Sequence, residues 1–163
     1  MFPLTVPLRP HSFRPFFENP VFLSTISSMF VAQLLKAIIV LLRSSRRSPR
    51  EIASTLLWRT GGMPSSHSAL VTALTVSVGF KEGVGSSLFI VTFAIALIVI
   101  RDSMGVRRSS GLQARSLNLL GKRVSEKMGI EYHPVKEIQG HAPLEVLVGS
   151  LLGIFIATAF ALL

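Results

Sequence analysis

Four stretches of this 163-residue chain are too apolar and too long to be the connections of a soluble domain. A helix needs ~20 mostly apolar residues to cross the hydrocarbon core of a bilayer. The first stretch runs from about Val21 to Leu42, with Lys36 its only charge. The second, Pro64 to Phe80, is shorter and carries His67 near its start. The third runs from Ser87 to Ile100, with uncharged residues extending it back to Gly83, and the fourth from Pro143 to Leu163 with Glu145 as its only charge. The first, third and fourth read as spans, and the second as a span or a half-buried helix. The expected fold is all-α: a polytopic transmembrane helix bundle of about four spans (21–42, 64–80, 83–100 and 143–163), forming one membrane domain over residues 1–163. Only 15% of the residues are charged, against roughly 25% in a typical soluble domain.

A formal net charge of +9 raises the question of a nucleic-acid partner, and the placement of the charge answers it. Arg43, Arg46, Arg47, Arg50 and Arg59 lie between the first and second stretches. Arg101, Arg107, Arg108, Arg115, Lys122, Arg123, Lys127 and Lys136 lie between the third and fourth. These make thirteen of the seventeen basic residues. With four spans both loops fall on one side, and the positive-inside rule puts them in the cytoplasm and both termini outside. The surplus is therefore mostly topology, with anionic headgroups as a further attraction, and no nucleic-acid partner is expected. The chain has no cysteine, so neither a disulfide framework nor a thiolate metal site is available. The amino terminus lacks the features of a cleaved signal peptide, which leaves the first span as the targeting signal.

Residues 1–19 hold Pro3, Pro7, Pro10 and Pro15 among aromatic side chains and read as an interfacial arm. From Ile52 to Trp58 the first basic loop turns apolar, suited to a short helix along the headgroups. The segment from Thr60 to Ser68 places two glycines before a proline and serines, which signals a loop delivering the chain into a helix amino terminus. Residues 101–140 form a long basic cytoplasmic loop with helical patches such as Ala114 to Met128, long enough to suggest more than a connection. Gly140-His141-Ala142-Pro143 opens the last span, with Pro143 suited to its first turn. Lys36 has two readings, a side chain that snorkels to the interface or a functional charge. Asp102 either pairs with a neighbouring arginine or binds a metal, and Gly149, Gly153 and Ala157 suit close helix packing.

His67 and His141 each occur at the start of an apolar helix, and the topology puts both starts on one membrane face. Helix amino termini present unpaired amides and a positive dipole end, a ready site for phosphate. Lys36, Arg43, Arg107 and Arg108 are available on the same face. Two histidines among fixed positive charges suit cleavage of a phosphate ester, one attacking phosphorus and the other protonating the leaving oxygen. The attacking imidazole is held by a carboxylate on its second nitrogen. Glu145, four residues after His141, can serve on the same helical face. The bland alternatives are a helix cap or interfacial histidine in each case, and positive-inside anchors for Arg107 and Arg108.

These residues resemble the divergent branch of the type 2 phosphatidic acid phosphatases, related to vanadium-dependent haloperoxidases, over nearly the whole chain. Thr60 to Leu70, with Pro64-Ser65-Ser66-His67, is similar to the family's second motif. His141-Ala142-Pro143-Leu144-Glu145 resembles the third, in which an aspartate follows the nucleophilic histidine by four residues. Lys36 and Arg43 match the spacing of the first, and Gly105-Val106-Arg107-Arg108 resembles a signature of the divergent branch. The chain departs from the pattern at Ser66 (glycine in the family), Glu145 (aspartate), Ser44 (proline) and Val135 (arginine), and Arg107 or Arg108 is the candidate replacement for that arginine.

The resemblance implies a metal-independent phosphohydrolase with no cofactor, working through a phosphohistidine. His141 would attack, Glu145 orient it and His67 act as general acid. Lys36, Arg43, Arg107 and Arg108 would hold the phosphoryl oxygens with the Ser65 and Ser66 amides. The leading reading is a phosphatase with its site on the cytoplasmic face, acting on a phosphorylated lipid such as phosphatidate, phosphatidylglycerophosphate or a prenyl phosphate. The alternatives are a scaffold or lipid-binding protein that keeps the fold without turnover, and a metal-dependent headgroup enzyme using Asp102 and Glu145 with the histidines. Size alone suggests a second copy, a homo-oligomer, to enclose the site.

Overall fold

The computed structural model describes residues 13–43, 62–137 and 140–163, and every regular element in them is a helix. They are α1 (Arg14–Phe17), α2 (Pro20–Arg43), α3 (Ser66–Glu82), α4 (Ser87–Met104), α5 (Val106–Met128) and α6 (Pro143–Leu162). Residues 1–12 of the expected interfacial arm, and the apolar stretch from Ile52 to Trp58, lie outside the described residues.

Helix boundaries follow local chemistry. Ser65 caps α3 by accepting from the Ser68 amide, and Ser86 caps α4 by accepting from the Phe89 amide at 3.1 Å. Between them Gly83, at φ +82°, ends α3 in a conformation that a side chain would resist. The third span therefore begins at Ser87, and the uncharged residues from Gly83 to Ser86 form the turn of an α3–α4 hairpin. Pro143 starts α6, where its missing N–H costs nothing.

Among the described residues, three helices are long and apolar enough to cross a membrane: α2, the apolar stretch that opens α4, and α6. Of the two readings of the second stretch, a span or a half-buried helix, α3 fits the latter: it has 17 residues with serines and threonines among the apolar ones, so about three spans stand out rather than four. Its position explains this. α3 packs against α2, α4 and α6, and its buried residues include Ser66, Ser68, Ala69, Ala73, Thr75 and Ser77. It runs the length of the bundle: its start bonds to the start of α6, through Ser65 N–H to the Glu145 carbonyl at 2.9 Å. Near its other end Ser77 shares a 2.6 Å hydrogen bond with Ser24 in the first turns of α2. A helix shielded by neighbours on most sides meets little lipid, so hydropathy marks it weakly.

Side-chain size is sorted in the opposite sense to a soluble core. Ala32, Ala37, Ala69, Ala73, Ala96 and Ala157 are buried with Ser24, Ser28, Ser65 and Ser68, while Phe30, Leu34, Ile90, Ile98, Leu151 and Phe155 are exposed. Lipid tails solvate leucine as well as any interior does, so helices associate through small residues that permit close approach and through hydrogen bonds. Gly149 and Gly153 carry this furthest. A Cβ on Gly149 would overlap the Ser65 carbonyl, and one on Gly153 the Ala69 carbonyl. The Thr75 hydroxyl adds a bond to the Thr92 carbonyl of α4 at 3.1 Å.

The region read as a long basic loop is mostly regular helix. α5 begins at Val106, eight residues before the expected helical patch, and Gly105 alone separates it from α4. It ends at Gly129, in the left-handed conformation. The chain then returns along it, with Asn118 bonded to the Tyr132 hydroxyl and to the backbone of Val135.

Gly153→Val should force α6 away from α3 and lower stability in detergent by about 1–3 kcal/mol, the usual cost of overpacking. Leu151→Ala, on the lipid face, should leave the thermal unfolding midpoint nearly unchanged. Equal midpoints for both variants would refute the glycine contact.

Candidate active site

The end of the bundle where α2 finishes and α3 and α6 begin gathers most of the polar residues singled out above. His141 is 7% exposed. Its Nδ1 lies 2.8 Å from Glu145 Oε2. An ionised carboxylate only accepts, so the hydrogen belongs to Nδ1 and the lone pair is left on Nε2. The same Glu145 oxygen accepts the Ala142 N–H at 3.2 Å, the backbone half of a capping box on the third residue of α6. The His141 N–H is in turn held by the Ser103 carbonyl at 3.1 Å, from the last turn of α4. Imidazole, carboxylate and helix start form one braced unit.

Lys36 is 3% exposed. It does not snorkel; the Cγ and Cδ of its stem pass Gly62 at ordinary van der Waals range, about 3.9 Å from where a Cβ on that residue would stand. Its ammonium is attracted by Glu145. His67, on the first turn of α3, is exposed. Arg107, His141 and Lys36 all lie near enough for their charge to bear on it. The structure thus brings Lys36, His67, Arg107, His141 and Glu145 into one neighbourhood. Arg107 is steadied by Asp102, Nε to Oδ2 2.9 Å. Asp102 is therefore the partner of an arginine, while Glu145 is bonded to His141 and the Ala142 amide.

Two phosphate-binding expectations change. The Ser65 amide, expected to face a phosphoryl oxygen, instead donates to the Glu145 carbonyl, and its hydroxyl accepts from Ser68. Ser65 fixes how α3 and α6 meet. The Ser66 and His67 amides belong to the first turn of α3, where no intrahelical acceptor exists, and they are the donors that remain. Arg108 contributes by its backbone, which lies so close to Gly140 that a Cβ there would clash. Arg43 ends α2; its side chain lies outside the described residues. Ser103 and Gly140 were missed by sequence reasoning, because a carbonyl acceptor and a clearance leave no mark in residue type. A cavity of about 230 Å³ opens at the opposite end, lined by Val21, Ser77, Phe80, Lys81 and Phe160, remote from these groups.

The chain matches the model of the divergent PAP2 family over residues 17–156. It is 37% identical over 150 residues, 85% of this chain and 92% of the other, to the uncharacterized membrane protein YuiD of Bacillus subtilis (strain 168). No solved structure matches. The chain belongs to the divergent PAP2 family, as its motifs indicated, and is an integral membrane protein.

Glu145→Ala should release the His141 ring. In a ¹⁵N-histidine NMR spectrum, the parent should show His141 as the Nδ1–H tautomer, assigned by its loss in His141→Ala. Glu145→Ala should show a mixture or the opposite tautomer, and Glu145→Gln, which keeps an acceptor, should retain most of the Nδ1–H form. An unchanged tautomer in Glu145→Ala would disprove the orienting role.

Proposed function

We propose that this protein is a metal-independent membrane phosphatase that hydrolyses a phosphate monoester or diphosphate of a lipid through a phosphohistidine. The observation that carries the reading is the His141–Glu145 pair: a buried imidazole whose Nδ1 is held by a carboxylate at 2.8 Å beside a buried lysine. A merely structural histidine at a helix start requires neither a dedicated carboxylate nor a buried cation nearby, and membership in a family named for phosphatidic acid phosphatases points the same way.

In the proposed reaction His141 Nε2 attacks phosphorus while the P–O bond to the lipid breaks. Glu145 stabilises the positive charge that develops on the ring by accepting its Nδ1–H. His67, exposed at the mouth, gives its proton to the leaving oxygen and afterwards takes one from the water that hydrolyses the N–P bond. Lys36 and Arg107 face the phosphoryl oxygens with the Ser66 and His67 amides, and fixed donors of this kind act without reorganisation at the moment of reaction. Arg108 and Arg43 are proposed as flanking charges. Substrate classes that fit a site at the end of a lipid-embedded bundle are phosphatidate, phosphatidylglycerophosphate and prenyl phosphates. The basic segments flanking this end support a site on the cytoplasmic side.

Purified full-length protein in detergent, assayed for phosphate release with chelator across these lipids, should be active, and vanadate should inhibit it as a transition-state mimic. His141→Ala should abolish release, and Lys36→Met should lower it about 100-fold or more. Release that needs a divalent metal, or that survives in folded His141→Ala, would overturn the mechanism. No release from any lipid would favour a scaffold that keeps the fold without turnover.

A further inference from the structure

α5 buries none of its own residues. Leu117, Leu120, Val124 and Met128 recur at the three- and four-residue spacing of one helical face, and Val106 falls on the same face. Of these, Val106, Leu117, Leu120 and Met128 are each 50% exposed or more. Among the described residues, α5 packs on α4, meets Gly140 through Arg108, and carries the returning segment. That segment sits beside the stripe: the Tyr132 ring covers Gly121, Asn118 holds Val135 and Tyr132, and Ser125 donates to the Ile130 carbonyl.

Apart from Leu112 and Leu119, which are exposed on the other side, the rest of the surface is polar and its charge is mostly cationic. Arg107, Arg108, Arg115, Lys122, Arg123 and Lys127 face one acidic residue, Glu126. Arg108, Arg115 and Lys122 lie opposite the stripe. Location adds the decisive constraint: the apolar run of α4 ends at Ile100, and Gly105 alone separates that helix from α5. Gly105 has φ −98° and ψ −84°, outside helical values, so the two helices are not one continuous rod. An apolar stripe with a cationic back, starting where the hydrocarbon stops, is complementary to the boundary between acyl chains and anionic headgroups.

We propose that α5 is seated on an anionic phospholipid surface, its Val106, Leu117, Leu120, Val124 and Met128 face in the acyl boundary and its arginines and lysines among the headgroups. This does not depend on the phosphatase reading. It has one consequence for that site: seating the helix sets the depth of Arg107, which Asp102 holds at 2.9 Å beside the same membrane face as His67.

The chain has no cysteine, so single nitroxide labels can be placed on the full-length protein in nanodiscs. Labels at Leu117→Cys and Leu120→Cys should be reached by oxygen in preference to an aqueous nickel chelate, and those at Arg115→Cys and Lys122→Cys the reverse. The contrast should be larger with one third phosphatidylglycerol than in pure phosphatidylcholine, and should fall in 0.5 M salt. Stripe labels reached freely by nickel would show a solvated helix and overturn the proposal. Labels shielded from both reagents would show a protein cover and overturn it too. Equal contrast in both lipids at both salt levels would remove the anionic preference.

Discussion

The close contact between α3 and α6 governs the rest of the molecule. Two glycines on α6 let backbone meet backbone at Ser65 and Ala69, and the Ser65 N–H then reaches the Glu145 carbonyl at 2.9 Å. That bond brings together the two helix starts that carry His67 and His141. Had the helices been held apart by leucine-sized residues, the two dipole ends would have been separated and the anion-binding potential divided between them. Helix packing and site chemistry are here one arrangement, because the residues that permit the approach lie one and two turns from those proposed to react.

Burial of charge is the constraint that this arrangement must satisfy. Lys36 sits in the bundle, where an unpaired cation is costly. It tolerates the position because Glu145 supplies an opposing charge. Glu145 in turn has its Oε2 shared by His141 and the Ala142 amide, so it holds a fixed position without an ion pair to lysine. The length of the glutamate side chain suits this reach back to the residue before the helix.

Much of this was legible in the sequence. Hydropathy located α2, α4 and α6, the serine and proline signals marked the starts of α3 and α6, and the four-residue spacing paired His141 with Glu145. What escaped notice has a common cause. α3 was marked only weakly because its surroundings are protein; α5 was read as a patch because its periodicity is broken by arginines that face away from the stripe. The roles of Ser103 and Gly140 depend on what stands opposite them in space. The Ser65 amide was assigned to a ligand because sequence shows a capping residue but not the carbonyl it meets across the bundle.

The placement of small side chains inside and large ones outside has a consequence for how such a chain can change over generations. On the outer surface, Phe30, Leu34, Ile98 or Phe155 can be exchanged for almost any greasy residue, since a fluid solvent adapts to each. Inside, a side-chain carbon added at Gly149 or Gly153 meets backbone and has nowhere to go. Variation should therefore collect on the bulky, seemingly prominent residues, and the inconspicuous ones should record descent. In this protein the smallest letters of the sequence carry the most information about the fold.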